Sequence, residues 1–98
     1  MNVDYLIVGG GITGRLLQLE LMGRGSSTIV YDKSNDNHST RVAAGLVNPV
    51  VGKFFTVGWR SDQYFPFLAS HYKNLEETLK SKFFSSKPMK RIIASAGE

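Results

Sequence analysis

The chain has 98 residues, a formal net charge of +4 and 42% hydrophobic residues. That is enough for one small domain with a single core, and too apolar for a disordered segment. No cysteine is present, which excludes disulfides, thiolate metal sites and a cysteine nucleophile, and fits a cytoplasmic address.

The first predicted element is a strand over residues 3–8, Val3-Asp4-Tyr5-Leu6-Ile7-Val8. It runs straight into Gly9-Gly10-Gly11-Ile12-Thr13-Gly14, a GxGxxG turn. Each glycine has a physical task in holding a dinucleotide pyrophosphate. Gly9 lets the chain turn sharply at the strand end. Gly11 lets the backbone come close to a phosphate. Gly14 lets the next helix pack tightly on the strand. A helix N-terminus then offers unpaired N–H groups and a partial positive charge to the anion. Asp4 and the short apolar run Tyr5–Val8 predict no secretory signal.

The helix is predicted from Ile12 to Arg24, with Ile12, Leu16, Leu19 and Met22 as its apolar stripe. Gly23 and Gly25 end it. A second strand covers Thr28–Tyr31 and stops at Asp32, eighteen residues after Gly14. An acidic residue about 20 residues on is the expected acceptor for ribose hydroxyls. Strand, helix and strand at this spacing predict a right-handed crossover with parallel strands. A βαβ unit that binds nothing is the plain alternative.

The polar run Ser34–Ser39 reads as a loop. Ser39 or Thr40 caps a short helical turn that Gly45 ends. Pro49 holds Asn48 extended, and Asn48 is expected to make an Asx-turn or a hydrogen bond to a ligand. Val50–Phe55 holds a short strand or irregular chain. A long helix is predicted over Trp59–Ser81, with Tyr64, Leu68, Tyr72, Leu75 and Leu79 on one face. Lys73, Glu76, Glu77 and Lys80 lie opposite, with a Glu76–Lys80 pair. Pro66 either kinks this helix or sits in its first turn, with the true start near Tyr64. Phe83–Ser86 and Met89–Ala94 are predicted as two strands joined at Lys87-Pro88.

Residues 1–52 are charge-balanced, so all of the basic excess follows Gly52. No RNA- or DNA-binding motif accompanies it, so the excess reads as a solvated face or a surface toward further protein. No stretch approaches the roughly 20 apolar residues of a membrane span. His38 and His71 have no partner at metal-ligand spacing. Trp59, Phe65 and Phe67 are expected in the core rather than on a cofactor, and Tyr64 and Tyr72 carry no catalytic role.

The fingerprint, the Asp32-Lys33 strand end and Ser39-Thr40-Arg41-Val42-Ala43-Ala44-Gly45-Leu46-Val47-Asn48-Pro49 together resemble the glutathione-reductase-type FAD fold. More narrowly, they resemble the D-amino-acid-oxidase and glycine-oxidase family of FAD-dependent oxidoreductases. The likeness covers residues 3 to about 72 and is looser after that. Its implied fold is α/β: an incomplete Rossmann-like FAD-binding βαβ unit followed by a long helix and two strands, the N-terminal part of a longer protein. Residues 1–82 would belong to the FAD-binding domain and 83–98 would open the substrate-domain sheet.

The resemblance implies FAD as cofactor. The pyrophosphate would fall on Gly9, Gly11, Ile12, Thr13 and Gly14. Asp32 would take the adenosine ribose, with Lys33 near the adenine or phosphates. Ser39, Thr40, Ala43, Ala44, Gly45 and Leu46 would lie along the pyrophosphate and flavin, and Arg41 would reach a phosphate or face solvent. Small residues suit a flat ring system that passes close to backbone. The implied reaction is hydride transfer from an amine-bearing carbon to flavin, hydrolysis of the imine by water, and reoxidation by oxygen to give peroxide. The substrate would be a small amine or amino acid, held by residues beyond Glu98. No general base is visible and no catalytic residue is assigned. The family usually has glutamate at Asp32 and a small or apolar residue at Arg15. An NAD(P)-binding domain, and a non-catalytic fragment, folded or self-associating, that binds no cofactor, stand as the other readings.

Overall fold

The computed structural model describes residues 1–33, 38–52 and 54–92. The protein is mixed α/β and divides into two compact units, Met1–Leu46 and Val47–Glu98.

In the first unit, β1 (Tyr5–Val8) lies parallel to β2 (Thr28–Tyr31), with Tyr5 opposite Thr28 and Val8 opposite Tyr31. The strand expected from Val3 begins two residues later. Asp4 instead joins a clip at the strand starts. Its Oδ2 accepts the Ser27 N–H at 2.7 Å and the Ser27 hydroxyl at 2.8 Å, while its own N–H donates to Ser27 Oγ at 3.0 Å. These bonds to a carboxylate hold Asp4 below the usual carboxylate pKa range, the Ser27 amide contributing most.

Helix α1 (Ile12–Gly23) connects the strands. Its end is a Schellman motif: Gly25, at φ +85°, donates to the Met22 carbonyl, and Ser26 donates to that of Leu21. The face turned toward the sheet differs from the predicted stripe. Gly14, Leu16, Gln18 and Leu21 are half-buried, whereas Ile12, Leu19 and Met22 are exposed. Gly14 stands on the inward side, where a Cβ would overlap the Gly9 carbonyl oxygen and touch Ile7 Cγ2 of β1 at 3.4 Å. Ile7 is the one buried apolar side chain among the described residues. Leu6 and Val8 point to the other face of the sheet and remain 64% and 79% exposed. Helix α2 (Ser39–Val42) follows, with His38 as its N-cap and Ala43 extended at its end. Neither Ser39 nor Thr40 caps it, and it stops before Gly45. The loop expected over 34–37 lies outside the described residues.

The second unit opens with the Asx-turn: the Val50 N–H donates to Asn48 Oδ1 at 3.0 Å. Strands β3 (Val50–Val51) and β4 (Thr56–Val57) pair antiparallel, with Val50 opposite Val57. Gly52 and Phe55 both take positive φ, +75° and +55°, in the turn between them. Helix α3 (Ser61–Leu79) starts three residues before Tyr64, so Pro66 lies inside it rather than in its first turn. Arg60 sets that start. Its carbonyl accepts the N–H groups of Gln63 and Tyr64, and its guanidinium bonds Gln63 Oε1 at 2.7 Å. Leu68, Tyr72 and Leu75 are half-buried, as their shared face predicts, while Tyr64 and Leu79 stay exposed.

Beyond α3 the two predicted strands are not formed among the described residues. Residues 81–92 carry no strand pairing, and Ile93 and Ala94 lie outside those described. Glu76 accounts for part of the difference. It is buried rather than solvent-facing and it binds the chain after the helix, not Lys80. An amide bonded to a side-chain carboxylate is unavailable to a strand neighbour.

Among the described residues, no helix is long and apolar enough to cross a membrane.

Candidate functional site

The site forms where β1 ends and α1 begins. The chain turns out of β1 at Gly9, whose φ of +107° a side chain would strain. The Gly9 N–H still donates to the Tyr31 carbonyl at 2.8 Å, so the turn is anchored to the neighbouring strand. Gly11 then caps α1 in extended conformation, and its carbonyl accepts the Arg15 N–H. The amides of the first turn, including those of Thr13 and Gly14, have no acceptor within the helix. They and the aligned peptide dipoles make this end attractive to an anion.

One glycine is required here by the backbone around it, and two more lie close to side chains. A Cβ on Gly14 would overlap the carbonyl oxygen of Gly9 and touch Ile7 Cγ2 at 3.4 Å. A Cβ on Gly11 would stand 3.0 Å from Thr40 Oγ1. A Cβ on Gly10 would stand 2.7 Å from Asp32 Oδ2. The last contact places the carboxylate at the tip of β2 directly beside the Gly-rich turn.

Thr40 reaches the same turn from α2. Its Oγ1 accepts the Ile12 N–H at 3.1 Å, a bond spanning 28 positions of sequence. The hydroxyl expected to cap its own short helix therefore caps α1. A hydroxyl that accepts one N–H keeps its own hydrogen free to donate, so Thr40 occupies one first-turn amide and retains a donor.

The fold thus gathers Gly9, Gly11, Ile12, Thr13, Gly14, Asp32 and Thr40 around one turn. Lys33 follows Asp32 and is exposed; Ser39 and Arg41 are exposed on α2. Ala43, Ala44, Gly45 and Leu46 run on as exposed irregular chain, with Gly45 at φ +69°. Arg15 bonds Gln18 Oε1 at 3.2 Å along the helix surface. Sequence reasoning passed over Gly10, the middle glycine of the run. The signal was available: three successive glycines facing an acidic strand end leave room for a close carboxylate. It also passed over Asp4 and Ser27, polar residues that flank the starts of the two strands.

Among the described residues, no group of three His, Asp or Glu side chains could hold a metal ion. No family, curated protein or solved structure matches this chain.

Proposed function

We propose that the first unit cradles an adenine dinucleotide, FAD, and that the protein serves an FAD-dependent oxidoreductase reaction on an amine or amino acid in the cytoplasm. The observation that carries this reading is the convergence on one turn of first-turn amides, the Thr40 hydroxyl and a carboxylate. A diphosphate needs the first two and an adenosine ribose needs the third. Two glycines fit such a group: a side chain would be strained at position 9 and would collide with backbone at position 14.

In this reading the amides of Gly11, Thr13 and Gly14 and the Thr40 hydroxyl bind the diphosphate. Asp32 accepts from the ribose hydroxyls. Ala43, Ala44, Gly45 and Leu46 supply small residues and backbone beside the flavin, as the family resemblance implies. Bound flavin supplies the hydride acceptor; this chain's residues bind and orient it. Asp32 suits the ribose of NAD equally well, so NAD is the second reading.

Titration of FAD into the purified chain, followed by flavin fluorescence, tests the proposal. Saturable quenching that ADP reverses, and that Asp32→Ala weakens about tenfold, is expected. Binding of NAD in place of FAD selects the second reading. Failure of FAD, ADP and NAD alike to bind overturns both.

A further inference from the structure

A second feature lies in the second unit, at the end of α3. Glu76 is buried in the last turns of α3, with a side chain only 7% exposed. A carboxylate is disfavoured there, because the C-terminal end of a helix carries partial negative charge. Burial adds a desolvation cost. It is nevertheless well satisfied. Oε1 accepts the N–H groups of both Phe83 and Phe84, each at 2.8 Å. Oε2 faces Lys82 Nζ at 3.4 Å. The chain is bent into reach of these bonds by Lys80, which takes the left-handed conformation at φ 51°, and by the Ser81 N–H, which donates to the Glu76 carbonyl at 3.1 Å.

The same bend brings two rings onto Tyr72, one turn earlier in α3. Phe84 stacks on it with centroids 4.9 Å apart, and Phe83 meets it edge-on at 6.2 Å. Hydrogen bonds and aromatic contacts therefore hold Phe83 and Phe84 from two sides.

We infer that Glu76 is a latch: its ionised carboxylate pins residues 82–84 back onto α3 and thereby sets the direction in which the chain leaves the helix. Neutralising the carboxylate weakens both amide bonds and removes the attraction to Lys82, so the segment lifts off Tyr72. The bonds from Phe84 and Phe83 hold the Glu76 pKa below the usual carboxylate range, against the desolvation that raises it. Lys82 is the charged group facing it from the exiting chain. Lys73, three residues earlier, and Glu77 and Lys80, one and four later, are the other charged residues near it in sequence, and Tyr72 lies one turn before it. The latch is therefore closed at neutral pH and opens only in acid.

Amide hydrogen exchange and pH titration by NMR on the full chain test this. In the unaltered protein the Phe83 and Phe84 amides are expected to exchange at least about tenfold more slowly than free peptide, as hydrogen-bonded groups do. Glu76→Gln keeps one acceptor oxygen but turns an N–H₂ toward Lys82, so part of the protection is lost. Glu76→Ala loses all of it while the Thr78 amide inside α3 stays protected. Should Glu76→Ala unfold the helix as well, the unaltered protein still decides. The Phe83 and Phe84 amide shifts must then move together, with a midpoint below that of an ordinary glutamate. Unprotected Phe83 and Phe84 amides in the unaltered chain, or shifts that ignore the titration of Glu76, overturn the inference.

Discussion

The two units solve one local problem with different residues. Both long helices end in the same Schellman pattern, with a left-handed residue after the last turn. In the first unit that residue is Gly25; in the second it is Lys80. Glycine takes the left-handed conformation freely, whereas lysine does so at a cost of roughly 1 kcal/mol. The difference shows what each unit needs there. After α1 the chain simply turns into β2 through Ser26 and Ser27. After α3 the turn is held in place by the Glu76 carboxylate and by rings packed on Tyr72. Contacts formed after the turn stabilise a backbone that lysine alone would not choose. The units differ in the same way at their close approaches. The first depends on bare backbone at Gly14, where a Cβ would overlap a carbonyl oxygen, and the second on side chains.

The sharpest way to break this contrast is Gly14→Ala. Its methyl group would overlap the Gly9 carbonyl oxygen, and backbone cannot step aside cheaply. A loss of about 3 kcal/mol is expected, enough to unfold a unit with one buried apolar side chain while α3 remains helical. Circular dichroism with residue-resolved NMR checks this.

Acid comes next, because each unit carries one carboxylate clip. Asp4 and Glu76 both have lowered pKa values in the folded chain. The unfolded chain therefore takes up more protons as pH falls. The stability these groups supply is complete above the ordinary carboxylate range and drains away as pH drops through their lowered values. Thermal melts from neutral pH into acid should show this fall. Asp4→Asn should flatten it in the first unit only, and Glu76→Gln in the second only.

Exchanging the two turn residues gives a smaller effect of opposite sign. Gly25→Ala should cost about 1 kcal/mol, and Lys80→Gly should add about 1 kcal/mol, as read from denaturant midpoints. The smallest effect is at Thr28 in β2, whose buried hydroxyl has no partner among the described residues. Thr28→Val keeps the shape and removes that hydroxyl, so a gain of about 0.5 kcal/mol is expected.

Much of the first unit was legible because its signals are local. The apolar run Tyr5–Val8, the glycines and the acidic end of Thr28–Tyr31 fix strand, turn, helix and strand in order. What the pattern missed depends on contacts distant in sequence. The stripe Ile12, Leu16, Leu19 and Met22 has helical spacing, yet only Leu16 of it is half-buried, and Gly14 stands on the inward side instead. Thr40 looks like a cap for its own turn, but Ile12 lies within its reach and the hydroxyl serves that helix instead. Glu76 has the spacing of a solvent-facing residue, and only the bend at Lys80 brings Phe83 and Phe84 to it. The strands expected over 83–86 and 89–94 were read from β-prone residues, and such residues form strands only where a neighbour completes the ladder.

We have proposed that the turn after β1 is an anion cradle with a ribose acceptor beside it. Chemical-shift mapping of the isotopically labelled chain during titration with ADP tests it most directly. The account predicts that the largest amide shifts fall on Gly11, Ile12, Thr13, Gly14 and Thr40, with Asp32 moving alongside them. Shifts confined to the second unit, or an unchanged spectrum at saturating nucleotide, would contradict it.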